Sequence, residues 1–130
     1  MAVGPLAKVK YYPIAGFQLG TTEASIKTPG RKDLVVMQAQ AGSSMAGVFT
    51  ANAFCAAPVH LCRRHLQDDS PLALVINTGN ANAGTGEAGD ADALTSCDEL
   101  AKALNLTSSQ VLPFSTGVIG EKLPIEKIVT

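Results

Sequence analysis

The chain has 130 residues, 46% apolar and 16% charged, with a formal net charge of −1. That is one domain's worth of ordinary globular sequence, neither a disordered chain nor one with the basic excess that phosphate neutralisation on nucleic acid demands. Aromatics make up 5% and Trp is absent, so Ala, Val, Leu and Gly must build the core. Cys55, Cys62 and Cys97 are odd in number and form no C-x-x-C pair. They argue against a disulfide framework and fit a reducing, cytoplasmic setting. No apolar run approaches the ~20 residues needed to span a membrane, and Met1-Ala2-Val3-Gly4-Pro5 lacks the start of a signal peptide.

Residues 1–13, with Pro5 and Pro13, read as an irregular lead-in. Residues 15–19 form a short apolar piece ended by Gly20-Thr21-Thr22, and Thr28-Pro29-Gly30 is a turn signal. Residues 33–39 and 45–50 are predicted strands, joined by Ala41-Gly42-Ser43-Ser44 as an antiparallel hairpin. A helix opens at Ala56-Ala57-Pro58, where proline at the first turn costs little, with Val59, Cys62 and Leu66 as its buried stripe. His60 and His65 flank Arg63-Arg64 on what reads as a solvated face. Five residues apart, they lie about 140° from each other around a helix and cannot share a metal.

Asp68-Asp69-Ser70-Pro71 ends that helix, and residues 72–76 are a continuous apolar strand expected to be covered on both faces. A twelve-residue polar loop leads to a helix over 90–104 with Leu94, Cys97, Ala101 and Leu104 in register and Asp90 and Asp92 near its positive end. Residues 111–114 are the last predicted strand, and 124–128 resemble a first helical turn. The fold class is α/β or α+β: a mixed sheet with hairpin strands first and helix–strand alternation later.

The polar strand ends carry the functional signal. Asn77, Asn80 and Asn82 alternate with Thr, Gly and Ala directly after an apolar strand. They are either turn formers, since Asn tolerates left-handed backbone, or side chains that orient a substrate or catalytic group. Thr116-Gly117 follows the last strand; the pair is either a plain exit into a turn or two neighbouring donors aimed at one developing oxyanion. Gly84-Thr85-Gly86-Glu87-Ala88-Gly89 has the form G-x-G-x-x-G. Six residues separate it from Asn77, however, and no carboxylate stands near the end of the next strand, so a dinucleotide-binding oxidoreductase is the weaker alternative. A non-catalytic assembly module is the third. No Ser-His-Asp arrangement can be placed, and no metal is expected.

Three motifs occur in order: Gly47-Val48-Phe49-Thr50-Ala51-Asn52-Ala53-Phe54 with Ala56-Ala57-Pro58-Val59; Ala73-Leu74-Val75-Ile76-Asn77-Thr78-Gly79-Asn80-Ala81-Asn82-Ala83; and Ser115-Thr116-Gly117-Val118-Ile119-Gly120-Glu121 with Leu123-Pro124. Together they resemble the bifunctional ornithine acetyltransferase / glutamate N-acetyltransferase family of arginine biosynthesis, from about residue 13 onward. The resemblance implies an N-terminal-nucleophile-type fold and a precursor that cleaves itself into α and β chains assembled as an α2β2 heterotetramer. It also implies acetyl transfer from N-acetylornithine to glutamate through an acetyl-threonine on the β chain. Acetyl-CoA serves as a further donor in some members, and no other cofactor is implied.

Thr116 and Gly117 match the family's oxyanion hole, where an alanine at 117 would crowd the acyl oxygen. The family's cleavage motif Ala-Thr-Met-Leu does not occur here. The 1–130 stretch therefore resembles the front part of an α chain, a single domain inactive without its nucleophile.

Overall fold

The computed structural model describes residue 10 and residues 12–129. The predicted lead-in over 1–9 and 11, and Thr130, lie outside the described residues. Four strands, β1 (Phe17–Thr22), β2 (Leu34–Ala39), β3 (Ala73–Asn80) and β4 (Val111–Val118), form one sheet in chain order. β1–β2 and β2–β3 are antiparallel, whereas β3–β4 is parallel. A parallel pair needs a long crossover, and helix α2 (Gly86–Leu104) supplies it. Helix α1 (Ala57–Asp68) joins β2 to β3 and packs beside α2 against β4.

The small residues anticipated from composition do line the contact between helices and sheet. Ala73, Val75 and Val111 on the sheet meet Ala57, Leu61, Ala93, Cys97 and Ala101 from the helices, and Leu34 completes the cluster. Small side chains let helix and strand backbones approach closely while still filling the interior to crystal-like density. Side chains alternate along a strand, so the opposite face of the sheet carries Val35, Met37, Leu74, Ile76, Leu112 and Phe114. Leu112 of the edge strand is buried, and the other five are half-buried or exposed. Among the described residues β3 is thus covered by helices on one face only, and not on both.

Three further expectations are corrected. Residues 45–50 form no strand, because both edges of β2 are already occupied, by β1 and β3. The segment instead lies against α1: Arg63 donates to the Thr50 carbonyl, and its guanidinium stands 5.3 Å from the Phe49 ring centre. The buried stripe of α1 is rotated toward Pro58, Leu61, Cys62 and His65. His65 belongs to the core and not to a solvated face, because its Nδ1–H donates to Val111 O at 2.7 Å, which makes the ring's burial tolerable. Finally, α2 begins four residues before the expected Asp90. It ends where predicted, closed by Asn105 in left-handed backbone (φ 55°) with its N–H on Ala101 O and Lys102 O.

Cys62 and Cys97 are buried, and burial pushes the Cys62 thiol up to about 11 and the Cys97 thiol up as well. Neither has the character of a nucleophile. Pro113 is accommodated within β4 because β4 is an edge strand, and Cys62 Sγ donates to its carbonyl at 3.2 Å.

Replacing His65 by Ala removes a buried bond and leaves a cavity between α1 and β4. Stability should fall by roughly 2–3 kcal/mol, read as a lower urea midpoint at unchanged slope.

Candidate active site at the ends of the parallel strands

β3 and β4 both run beyond their apolar stretches. β3 includes Asn77-Thr78-Gly79-Asn80 and β4 includes Ser115-Thr116-Gly117-Val118, so the two polar motifs pair with each other. Asn77 stands beside Ser115, Thr78 beside Thr116 and Gly79 beside Gly117. At Gly79 and Asn80 the register shifts in a bulge, a device that re-aims a strand end. The structure thereby brings Asn77, Asn80, Thr116 and Gly117 to one rim, with Asn82 just beyond it.

The three asparagines are almost sealed from solvent, Asn82 completely so. Each carboxamide is used on both sides. Asn77 donates to Asn80 O at 2.9 Å and accepts from Ser115 Oγ at 2.5 Å. Asn80 donates to Glu121 O and Lys122 O, both at 3.1 Å, and accepts from Asn82 N at 2.7 Å. Asn82 donates to Gly89 O at 2.8 Å and accepts from Thr85 Oγ1 at 2.9 Å, while its own carbonyl takes the Ala57 N–H at the start of α1. Every partner of these three carboxamides is a backbone group or a neighbouring side chain, and buried amides of this kind hold backbone in place. They tie the end of β3, the segment after β4 and the starts of both helices into one unit. Asn82 is also a turn former, with φ 45°.

The other two residues are different, for Thr116 and Gly117 are exposed. Ser115 reaches Asn77, so by alternation Thr116 points to the face of the sheet that no helix covers. Gly117 has φ 136°, a conformation open to glycine alone, and a Cβ there would lie 2.6 Å from Asn80 N and 2.7 Å from Gly79 O. The crowding expected of an alanine is therefore real but has another cause. The methyl would strike the β3 backbone before it met any substrate.

Ser115 was not singled out in the sequence, although it sits inside the decisive motif; its role shows only in the pairing, where it stands opposite Asn77 two register steps before the bulge. The glycine-rich loop is shorter than predicted, since β3 reaches Asn80 and α2 starts at Gly86. The Asn82 side chain packs against the start of α2: a Cβ at Gly89 would lie 2.5 Å from Asn82 Oδ1, so Gly89 serves internal packing. Among the described residues no group of three or more His, Cys, Asp or Glu could hold a metal ion, and no helix is long and apolar enough to cross a membrane.

Gly117→Ala should cost more than about 3 kcal/mol, through left-handed strain and the contact with Gly79 together. Gly120→Ala is the matched control: it too has positive φ (80°) but open space around it, so it should cost only about 1–2 kcal/mol. Thermal or urea unfolding of the two variants checks the ordering.

The chain is similar to known proteins in both sequence and fold. A match to the ArgJ family extends over residues 18–130. The chain is 55% identical over 128 residues to the "Arginine biosynthesis bifunctional protein ArgJ" of Pseudomonas fluorescens (strain Pf0-1), and equally to that of Pseudomonas syringae pv. tomato (strain ATCC BAA-871 / DC3000). Each alignment takes in 98% of this chain and 31% of the relative, so the chain spans about a third of the length of these curated proteins. Among solved structures, the bifunctional protein ArgJ of Bacillus halodurans superimposes with a TM-score of 0.83 at 34% identity, covering 88% of this chain and 60% of that one. The ornithine acetyltransferase of Mycobacterium tuberculosis, solved with ornithine, gives 0.85 at 36% identity, covering 88% and 63%. With the family matched across nearly all of its length and the mixed fold shared with both solved relatives, the chain belongs to the ArgJ family of arginine biosynthesis proteins.

Proposed function

We propose that this chain supplies the oxyanion hole of an acetyltransferase that moves acetyl from N-acetylornithine to glutamate, with the nucleophilic threonine on a separate β chain of an α2β2 assembly. The observation that carries this reading is the contrast at the strand ends. Every buried amide is occupied, while Thr116 stands exposed beside Gly117 on the open face of the sheet. Cys62 and Cys97 are buried thiols, and Ser115 Oγ is engaged with Asn77. A nucleophile arriving from outside these residues is what such a site lacks.

The chemistry runs in two balanced halves. The threonine oxygen attacks the acetyl carbonyl carbon of N-acetylornithine, and the carbonyl π pair moves onto oxygen. Thr116 Oγ–H and the Gly117 N–H stabilise that anion. Collapse breaks the C–N bond, the proton given up by the threonine hydroxyl passes to the departing nitrogen, and ornithine leaves behind an acetyl ester. The neutral glutamate amine then attacks the ester through a second oxyanion at the same donors; the C–O bond to threonine breaks and the amine's proton passes to the threonine oxygen, giving N-acetylglutamate and the free threonine. Acetyl-CoA, donating to the same nucleophile, is a second route to the ester, and the setting proposed is the cytoplasm. Ornithine in the Mycobacterium tuberculosis relative supports an amino-acid ligand of this size.

In the full-length enzyme, Thr116→Ala should lower kcat roughly 10²–10³-fold with little change in KM, because the donor acts on charge that exists only in the transition state. If Thr116 merely closed a turn, the variant would lose melting temperature and keep its kcat. Measuring both on one preparation separates the roles, and an unchanged kcat would sink the oxyanion assignment.

A further inference from the structure

The β1–β2 connection is built from its far end. Asp33, which is buried, accepts the Ala24 and Ile26 N–H groups on its two carboxylate oxygens, each at 2.6 Å. Its backbone joins the sheet as well, taking the Thr78 N–H at 2.9 Å. The loop is thereby folded back over the end of β3, with Ser25 in left-handed backbone (φ 53°) and Ile26 buried. Lys27 is delivered onto Gly79: a Cβ at 79 would lie 2.9 Å from the Lys27 Cβ. From there its ammonium reaches Glu121 Oε2 at 2.7 Å, across 94 positions of sequence.

Glu121 is the residue at which the segment after Thr116-Gly117 turns away, and its carbonyl is held by Asn80. A second cation repeats the connection, since Lys127 Nζ donates to Ser25 O at 2.8 Å. The chain therefore forms a closed ring around the strand ends: Gly79 under Lys27, Lys27 to Glu121, Glu121 to Asn80, and Asn80 next to Gly79.

We propose that the Lys27–Glu121 ion pair is a positioning latch for Thr116 and Gly117. It joins the β1–β2 connection to the segment after β4, a link that the asparagine side chains do not make, and it rests on the oxyanion reading of that pair. Both charged groups are about half exposed, so the pair contributes little to folding stability. Placement is a separate matter: a donor shifted by about 1 Å can cost a hundredfold in rate without changing how much protein is folded.

The test uses the full-length enzyme. Lys27→Met keeps the stem over Gly79 and removes the charge; Glu121→Gln keeps the shape and removes the partner. Each should lower kcat about tenfold, with KM and melting temperature close to wild type, and Lys27→Arg should restore most of the rate. The double variant should be no slower than either single one, since both break the same contact. Wild-type kcat in the singles, or a double loss equal to the product of the two, overturns the latch. Should Lys27→Met fail to fold, Glu121→Gln alone carries the same prediction. Thr116→Ala in parallel tells the two ideas apart. A normal rate there removes the oxyanion reading itself, while a slow Thr116→Ala beside a normal Lys27→Met removes only the latch.

Discussion

Where Gly79 faces Gly117 the parallel strands close to backbone-on-backbone contact, and the arrangement of the strand ends follows from that approach. A side chain at 117 would collide with the Gly79 carbonyl and the Asn80 amide. One at 79 would collide with Lys27. Two strands that can come this near can carry a bulge between them, and the bulge turns Asn80 inward, where it gathers Glu121, Lys122 and Asn82. The buried amides then have no slack. Each accepts and donates once or more, so shifting one would leave a neighbour unsatisfied in a low-dielectric setting, which is costly.

The core serves the same end by being made of small parts. Ala57, Ala93 and Ala101 let α1 and α2 lie close on β3 and β4, while His65 and Cys62 tie the first helix to carbonyls of the edge strand. Helices fixed at that distance hold their first turns near Asn82, which bonds to both: its carbonyl to Ala57 and its side chain to Gly89. The scarcity of aromatic residues is thus a condition for the site, since bulkier packing would lift the helices away from the loop that Asn82 organises.

Much of this was legible in the residues. Strand 33–39, the helix after Pro58 and the helix ending at Leu104 follow from periodicity and end signals, and the site motifs from polar residues spilling out of apolar runs. What escaped was decided by pairing. Residues 45–50 have strand composition but find no vacant edge on β2. Asn77 to Asn80 look like loop, yet remain in the ladder because β4 offers a matching polar stretch. His65 is polar by type and buried by virtue of one carbonyl 46 positions away. Likewise, nothing near Lys27 points to Glu121. Such contacts join residues that no local window contains.

The parallel pairing of β3 and β4 also bears on time. β4 can dock only after the chain has passed through α2; its polar half then closes a contact spanning 38 positions to Asn77, and Glu121 just beyond it closes one of 94 to Lys27. Long-range contacts of this kind form late, because the entropy of closing the loop is lost before any contact repays it. Thr116 and Gly117 acquire their geometry only when that zipping reaches its last residues. A half-folded chain has no such donor pair, and any reaction that draws on the two waits until the topology is complete.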